Sequence, residues 1–369
     1  MGKELRRVER PFPRFLACIL WAPGRTEPPM ALGSLSALRL MWDYLKGRRG
    51  PRSQVTETSI LHSPQGHPWL LYSPTGPRLC PMTLIHGVTA HASEDVNLVH
   101  LARCIASLGH PCLTPPLDGL AHFTHTDTDV TIVADAFQRS LDLFRVPTGV
   151  WAFSYGASYA LSAAARPECR EACRFIAGFG AYYRLESALE HQRQLLEKSP
   201  EPIDDDSDLL YLRYTLLVCQ RKRLSLPASA WTSIETALAD FMLPTPLHEK
   251  QQALLQYARH IDYVELMANY QRHALSSALS PAGHLRQVAC PVVLLHDPKD
   301  RFIPPDQVQL IQNELDCRNH VLKTRTLTTP MLSHVRVDPM RNLYDAWQLI
   351  RLLSPLFETH TATCRAGRK

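Results

Sequence analysis

The chain has 369 residues, 45% of them hydrophobic and 20% charged, an ordinary globular composition that excludes a disordered or collagen-like chain. No stretch approaches the ~18 consecutive apolar residues of a membrane span. The net charge of +5 is concentrated in residues 1–53, which hold 11 Lys/Arg against 4 Asp/Glu and leave 29 against 31 for the remainder.

The basic balance therefore belongs to an N-terminal arm, and it lacks the aromatic and basic interleaving of a nucleic-acid-binding segment. No nucleic-acid partner is expected, and peripheral contact with a membrane through this arm is the one membrane role left open. The apolar run from Phe15 to Pro23 follows Arg6, Arg7, Arg10 and Arg14 but has no clear small-residue cleavage site, so it is a weak signal peptide. The ten cysteines form no CxxC pair and no zinc-spaced array, as expected for reduced thiols in a cytoplasmic protein that holds no metal.

Residues 1–29 are rich in Pro and Arg with little periodicity, and Met30 is a candidate internal start. From Met30 the pattern is helical, with Leu35, Leu38, Met41, Trp42 and Leu45 on one face and an end at Gly47. Ser59 to His62 and Trp69 to Tyr72 flank Pro64, Gln65 and Gly66, the signature of a β-hairpin. A strand at Met82 to Ile85 and a helix at Val96 to Leu108 follow. A short strand at Cys112 to Thr114 precedes a helix at Val130 to Phe144, with Asp127 or Asp129 near its start, where an acidic or capping side chain satisfies free backbone donors. Gly149 to Phe153 reads as strand, Tyr155 to Ala165 as helix and Phe175 to Phe179 as strand. Strands alternating with helices predict a parallel sheet covered on both faces, an α/β fold.

The alternation stops between about Arg184 and Arg286, where Leu- and Gln-rich helical segments run without a strand. Strands return at Val292 to Leu295 and Val321 to Leu327, and Leu343, Trp347 and Ile350 mark one face of a closing helix.

The chemistry falls on turns that follow strands. Ser154 stands between a strand and a helix with Ala152 and Gly156 beside it, a GxSxG motif with Ala at the first position. Such a turn lifts a hydroxyl above the sheet, and the start of the next helix offers unpaired backbone N–H groups to a developing oxyanion. Asp297 and Asp300 follow the strand at Val292, and His334 follows the last strand, so the chain order is Ser, Asp, His. An imidazole can take the serine proton when a buried carboxylate orients its other nitrogen. Asp300 fits that role, with Asp297 shaping the turn, and Glu186, after the strand at Phe175, is an alternative acid. His86 reads as a loop-shaping residue, and His91, His100, His122 and His125 as surface or loop residues without ligand spacing.

On Ile85–His86–Gly87, Ala152 to Gly156, His296 to Pro304 and Ser333–His334–Val335, the chain resembles the α/β-hydrolase superfamily over approximately residues 58 to 357. The resemblance implies a mostly parallel eight-stranded sheet, Ser154 as nucleophile, His334 as general base and Asp300 as its orienting acid. It also implies an oxyanion hole from the backbone N–H groups of Val88 and Tyr155, on a loop supported by His86 and Gly87. The expected organisation is a basic arm with an amphipathic helix over 1–57, core over 58–183, helical cap over 184–286, core over 287–357 and polar tail over 358–369. The expected activity is cleavage of a carboxylic ester or thioester, a small-molecule acyl substrate, through an acyl-enzyme and without a cofactor. An acyltransferase or peptidase would use the same triad, and a non-catalytic binding module would use the same fold.

Overall fold

The structure is a computed structural model that describes residues 32–45, 55–122, 124–199, 207–239, 246–273, 277–318, 323–330, 332–333, 336–337 and 344–354. The expectations for residues 1–31 and for the C-terminal tail, and the position of His334, lie outside these residues.

Eight strands form one sheet in the order β1-β2-β4-β3-β5-β6-β7-β8. The first pair is the expected hairpin: β1 (Val55–His62) runs antiparallel to β2 (Pro68–Pro74), with a register shift between Ser59 and Leu61. Its turn needs a left-handed residue, and Gly66 supplies it at φ 91° while its N–H donates to the Ser63 carbonyl. β2 is also antiparallel to β4 (Cys112–Thr114). From there the sheet is parallel through β3 (Met82–Ile85), β5 (Thr148–Phe153), β6 (Cys173–Phe179), β7 (Val292–His296) and β8 (Thr324–Thr328).

The central strands are apolar at nearly every position because both faces are covered, and side-chain alternation assigns each residue to one face. Val150, Ala152, Ile176 and Leu294 enter one core with α4 (Asp127–Phe144) and α5 (Tyr155–Ala164). Trp151, Phe175, Ala177 and Leu295 enter the other, with α1 (Leu32–Leu45), α2 (Val96–Ser107) and a closing helix α12 over 344–354. A short α3 (Asp118–Ala121) precedes α4, and α11 (Asp306–Asp316) connects β7 to β8. Five helices intervene between β6 and β7: α6 (Leu185–Lys198), α7 (Ser207–Cys219), α8 (Ala228–Ala239), α9 (Leu247–Tyr257) and α10 (Tyr263–His273). After β8, a two-residue ladder pairs β9 (Leu332–Ser333) with β10 (Arg336–Val337).

Packing changes several details of the sequence reading. Leu35 is 52% exposed, and the buried face of α1 is instead Ala37, Leu38 and Leu40. The buried face of α12 is Ala346, Leu349, Ile350 and Leu353, while Trp347 is half-buried beside Tyr344 and Arg351. The two helices meet where Ser354 Oγ donates to Ser34 Oγ at 3.0 Å. Asp127 and Asp129 both stand in the first turn of α4, and Asp129 is buried and accepts from the Gly119 and Leu120 N–H groups of α3. His100 is buried rather than superficial, bonded to the Tyr44 carbonyl and stacked on the Tyr44 ring. Seven described cysteines carry free thiols, whereas Cys80 is disulfide-bonded, against the expectation of reduced thiols throughout. No helix among the described residues is long and apolar enough to cross a membrane.

The burial of α1 makes it part of the domain. Each fully buried leucine contributes ~1.5–3 kcal/mol, so a chain shortened to begin at Arg48 should lose on the order of 3–6 kcal/mol for Leu38 and Leu40 alone. A chain beginning at Met30, which keeps α1, should exceed the chain beginning at Arg48 by that amount in urea denaturation.

Candidate active site

The site is built at the carboxyl ends of β3, β5 and β7. Ser154 follows β5 directly and has φ 53° and ψ −129°, a conformation that costs a non-glycine residue ~1–3 kcal/mol. It is held there from both sides: the Ser154 N–H donates to the Phe179 carbonyl at 2.6 Å, and its own carbonyl accepts from Ala157 N–H at 2.9 Å. Tyr155 is the first residue of α5, so its N–H has no partner within the helix.

The loop after β3 lies directly against this turn. A Cβ on Gly87 would come within 2.9 Å of the Ser154 Cβ, and a Cβ on Gly156 would collide with the His86 carbonyl oxygen. Two glycines are therefore demanded by close approach, whereas Ala152 needs no such allowance: it lies within the sheet, opposite Ile85 and Gly178. His86 makes two hydrogen bonds to backbone groups. Its Nε2 accepts from Leu117 N–H at 2.9 Å, which leaves Nδ1 as the protonated nitrogen, donating to the Gly87 carbonyl at 2.6 Å. Burial pushes this imidazole down to about 4, so it is neutral near pH 7.

Asp300 sits on the loop after β7 with its side chain fully buried. Oδ1 accepts from the N–H groups of Phe302 and Ile303 at 2.8 and 3.0 Å, and Oδ2 lies 3.7 Å from His296 Nε2. Asp297 accepts from Lys299 N–H at 2.9 Å through its side chain, and its carbonyl accepts from Asp300 N–H, the turn-shaping pattern expected of it. Glu186 stands away from this loop, with Ser280 Oγ donating to its Oε2 at 3.4 Å. His334 lies outside the described residues.

One group absent from the sequence reading joins these loops. Gln192 of α6 donates through Nε2 to the Tyr155 hydroxyl at 2.7 Å and to the Phe302 carbonyl at 3.0 Å, tying the serine turn to the acid loop. His125 lies in a loop, as expected, and its ring stacks on Tyr155 at 4.7 Å while its Nδ1 pairs with the Tyr159 hydroxyl at 2.8 Å. Burial pushes His125 down to about 3, and burial, with the nearby Asp300 charge, raises the Tyr155 hydroxyl. Neither role has a sequence signal, because each depends on which side chains the fold brings opposite one another.

Ser154, Gly87, Val88, Tyr155 and His86 border one cavity of about 650 Å³, within the ~300–1,000 Å³ of small-molecule sites. Among the described residues, no cluster of His, Cys, Asp or Glu has the arrangement to hold a metal ion.

No family model and no curated protein matches the chain. Among solved structures, it is similar to an esterase of Pyrococcus furiosus at 11% identity and TM-score 0.48, over 83% of this chain and 91% of that one. It is similar to an esterase of Pyrobaculum calidifontis at 14% identity and TM-score 0.48, over 96% and 99%. A puromycin-hydrolyzing peptidase of Mycobacterium tuberculosis gives 14% identity and TM-score 0.46, over 85% of this chain and 41% of that one. The fold rests on the sheet itself: a mostly parallel eight-stranded order with a strained strand-to-helix turn after the central β5 is the α/β-hydrolase fold.

The close approach at the turn predicts that Gly156→Ala destabilises the protein by ~1–3 kcal/mol or more, although alanine is the better helix former. Thermal unfolding of the variant checks this; an unchanged midpoint would show that the His86 loop yields. Acid should also weaken the fold. His86, His110 and His125 are lowered by burial to about 4, 4 and 3 from an ordinary 6.5. Between those limits the unfolded chain binds the extra protons, so these groups remove stability as pH falls. Asp129, raised by burial to about 7, acts in the opposite sense, but it is one carboxyl against three imidazoles. The urea midpoint should therefore drop from pH 7 to pH 5.

Proposed function

We propose that the protein is a serine hydrolase acting on a carboxylic ester or thioester. Ser154 is the nucleophile, His334 the general base and Asp300 the carboxylate that orients it. The observation that carries the reading is the strained backbone of Ser154 in the lining of a cavity, since a non-glycine residue persists in such a conformation only where its surroundings over-determine it. The side chain is thereby offered to a bound acyl carbonyl.

In the reaction, Ser154 Oγ attacks the carbonyl carbon while His334 takes the serine proton and delivers it to the leaving alcohol or thiol. Water then releases the acid from the acyl-enzyme by the same proton path in reverse. The N–H groups of Val88 and Tyr155 receive the tetrahedral oxyanion, each such donor being worth ~2.7–4 kcal/mol. Asp300 suits its role because one oxygen is fixed by two backbone N–H groups, which sets the direction of the other. The helices α6 to α10 act as a cap, with Gln192 holding the serine turn to the acid loop.

Ser154→Ala should abolish labelling by a fluorophosphonate probe and hydrolysis of short 4-nitrophenyl esters; labelling that survives removes Ser154 as nucleophile. Asp300→Asn should slow turnover by orders of magnitude and Asp297→Asn much less, with the reverse ranking transferring the acid role.

A further inference from the structure

The cavity at Ser154 has walls on both faces of the sheet. On one side lie Leu212, Leu216 and Met267, from α7 and α10. On the other lie Leu40, Leu101 and Leu353, from α1, α2 and α12. Strand alternation explains the division. Trp151 and Phe153 of β5 line the second chamber, Tyr155 lines the first, and Ser154 comes where the strand ends and the sheet no longer separates them. Ser154, Gly87 and Val88 line the same cavity as both sets of walls.

We propose that the substrate is a neutral ester with an extended apolar group on each side of its scissile bond, the acyl chain occupying one chamber and the alcohol portion the other. This rests on the hydrolase reading above. The α1 helix, which precedes the sheet in sequence, then becomes a specificity element, since it supplies the floor of one chamber. The character of the walls supports a neutral occupant. No Lys or Arg is among the described lining residues. Two carboxylates, those of Asp95 and Asp208, border the cavity, and that of Asp95 is engaged by Thr89 Oγ1 and by the Asn97 and Leu98 N–H groups. A carboxylate or phosphate carried into either chamber would find no Lys or Arg among the described lining residues.

The chemistry balances for such an ester. The Ser154 Oγ–acyl bond forms as the ester C–O bond breaks, and the serine proton leaves with the alcohol. Water then gives its hydroxyl to the acyl carbon and a proton back to the serine, releasing the acid.

Two substrate series separate the chambers: 4-nitrophenyl esters of acids of graded length, and butyrate esters of alcohols of graded length. In wild type, kcat/KM should rise roughly four-fold per added methylene in both series until each chamber is filled. Ala37→Trp, on α1, should shorten the tolerated length in one series only, and Leu216→Trp, on α7, in the other. Leu40→Ala and Leu212→Ala should extend the same two series, so the proposal stays testable if a tryptophan variant does not fold. An alcohol series flat in length, or both tryptophan variants truncating the same series, overturns the two-chamber assignment. Fluorophosphonate labelling of Ser154 in wild type distinguishes the two levels. A labelled enzyme with a flat series loses only the two-chamber assignment, while a chain that neither labels nor turns over any ester loses the hydrolase reading as well.

Discussion

The approach of the His86–Gly87 loop to the turn after β5 is the contact on which the rest of the site depends. Two parallel strands, β3 and β5, are hydrogen-bonded neighbours whose carboxyl ends open side by side, and the chain leaves each at the same edge. At that edge there is room for backbone against backbone only. Gly87 and Gly156 have no side chain to intrude, and Ser154 takes a left-handed φ to turn from strand to helix in a single residue. The strain at Ser154 is offset by the buried cores on both sides of β5, which fix the strand and the helix independently of the turn between them.

A neutral His86 is part of the same arrangement. It accepts from one backbone N–H and donates to one backbone carbonyl, a pattern available only to the singly protonated ring. Protonation would force the nitrogen facing Leu117 N–H to become a donor, so the loop that frames the serine and the ionisation of this ring are physically one problem. The fold solves it by burial, which favours the uncharged form.

The same alternation that builds the sheet gives the site its shape. Because β5 sends successive residues to opposite cores, a group at its carboxyl end is open to both sides once the strand stops. The helices between β6 and β7 border it from one direction, and α1, α2 and α12 from the other. Gln192 spans the gap between the serine turn and the Asp300 loop, so the first wall is tied to both by directional bonds as well as by packing.

Much of this was legible in the amino-acid order. The strands at Met82, Cys112, Gly149, Phe175 and Val292 are continuous apolar runs because parallel strands are buried on both faces, and Ser154 announces itself by small neighbours between a strand and a helix. The pairing of Pro64–Gly66 with flanking apolar runs gave the hairpin in the same way. Local pattern fixes where an element begins and which chemistry it carries, since periodicity and steric demand are properties of neighbouring residues. It does not fix which residues of an apolar face are buried: Leu38 and Ile350 reach the core, while Leu35 and Trp347, read on the same faces, do not. Nor could it place Gln192 against Tyr155, His125 on the Tyr155 ring or Leu40 at the cavity, because these contacts join segments between 30 and more than 100 residues apart. Their partners are selected by the order of strands in the sheet, and that order exists only once the chain has folded.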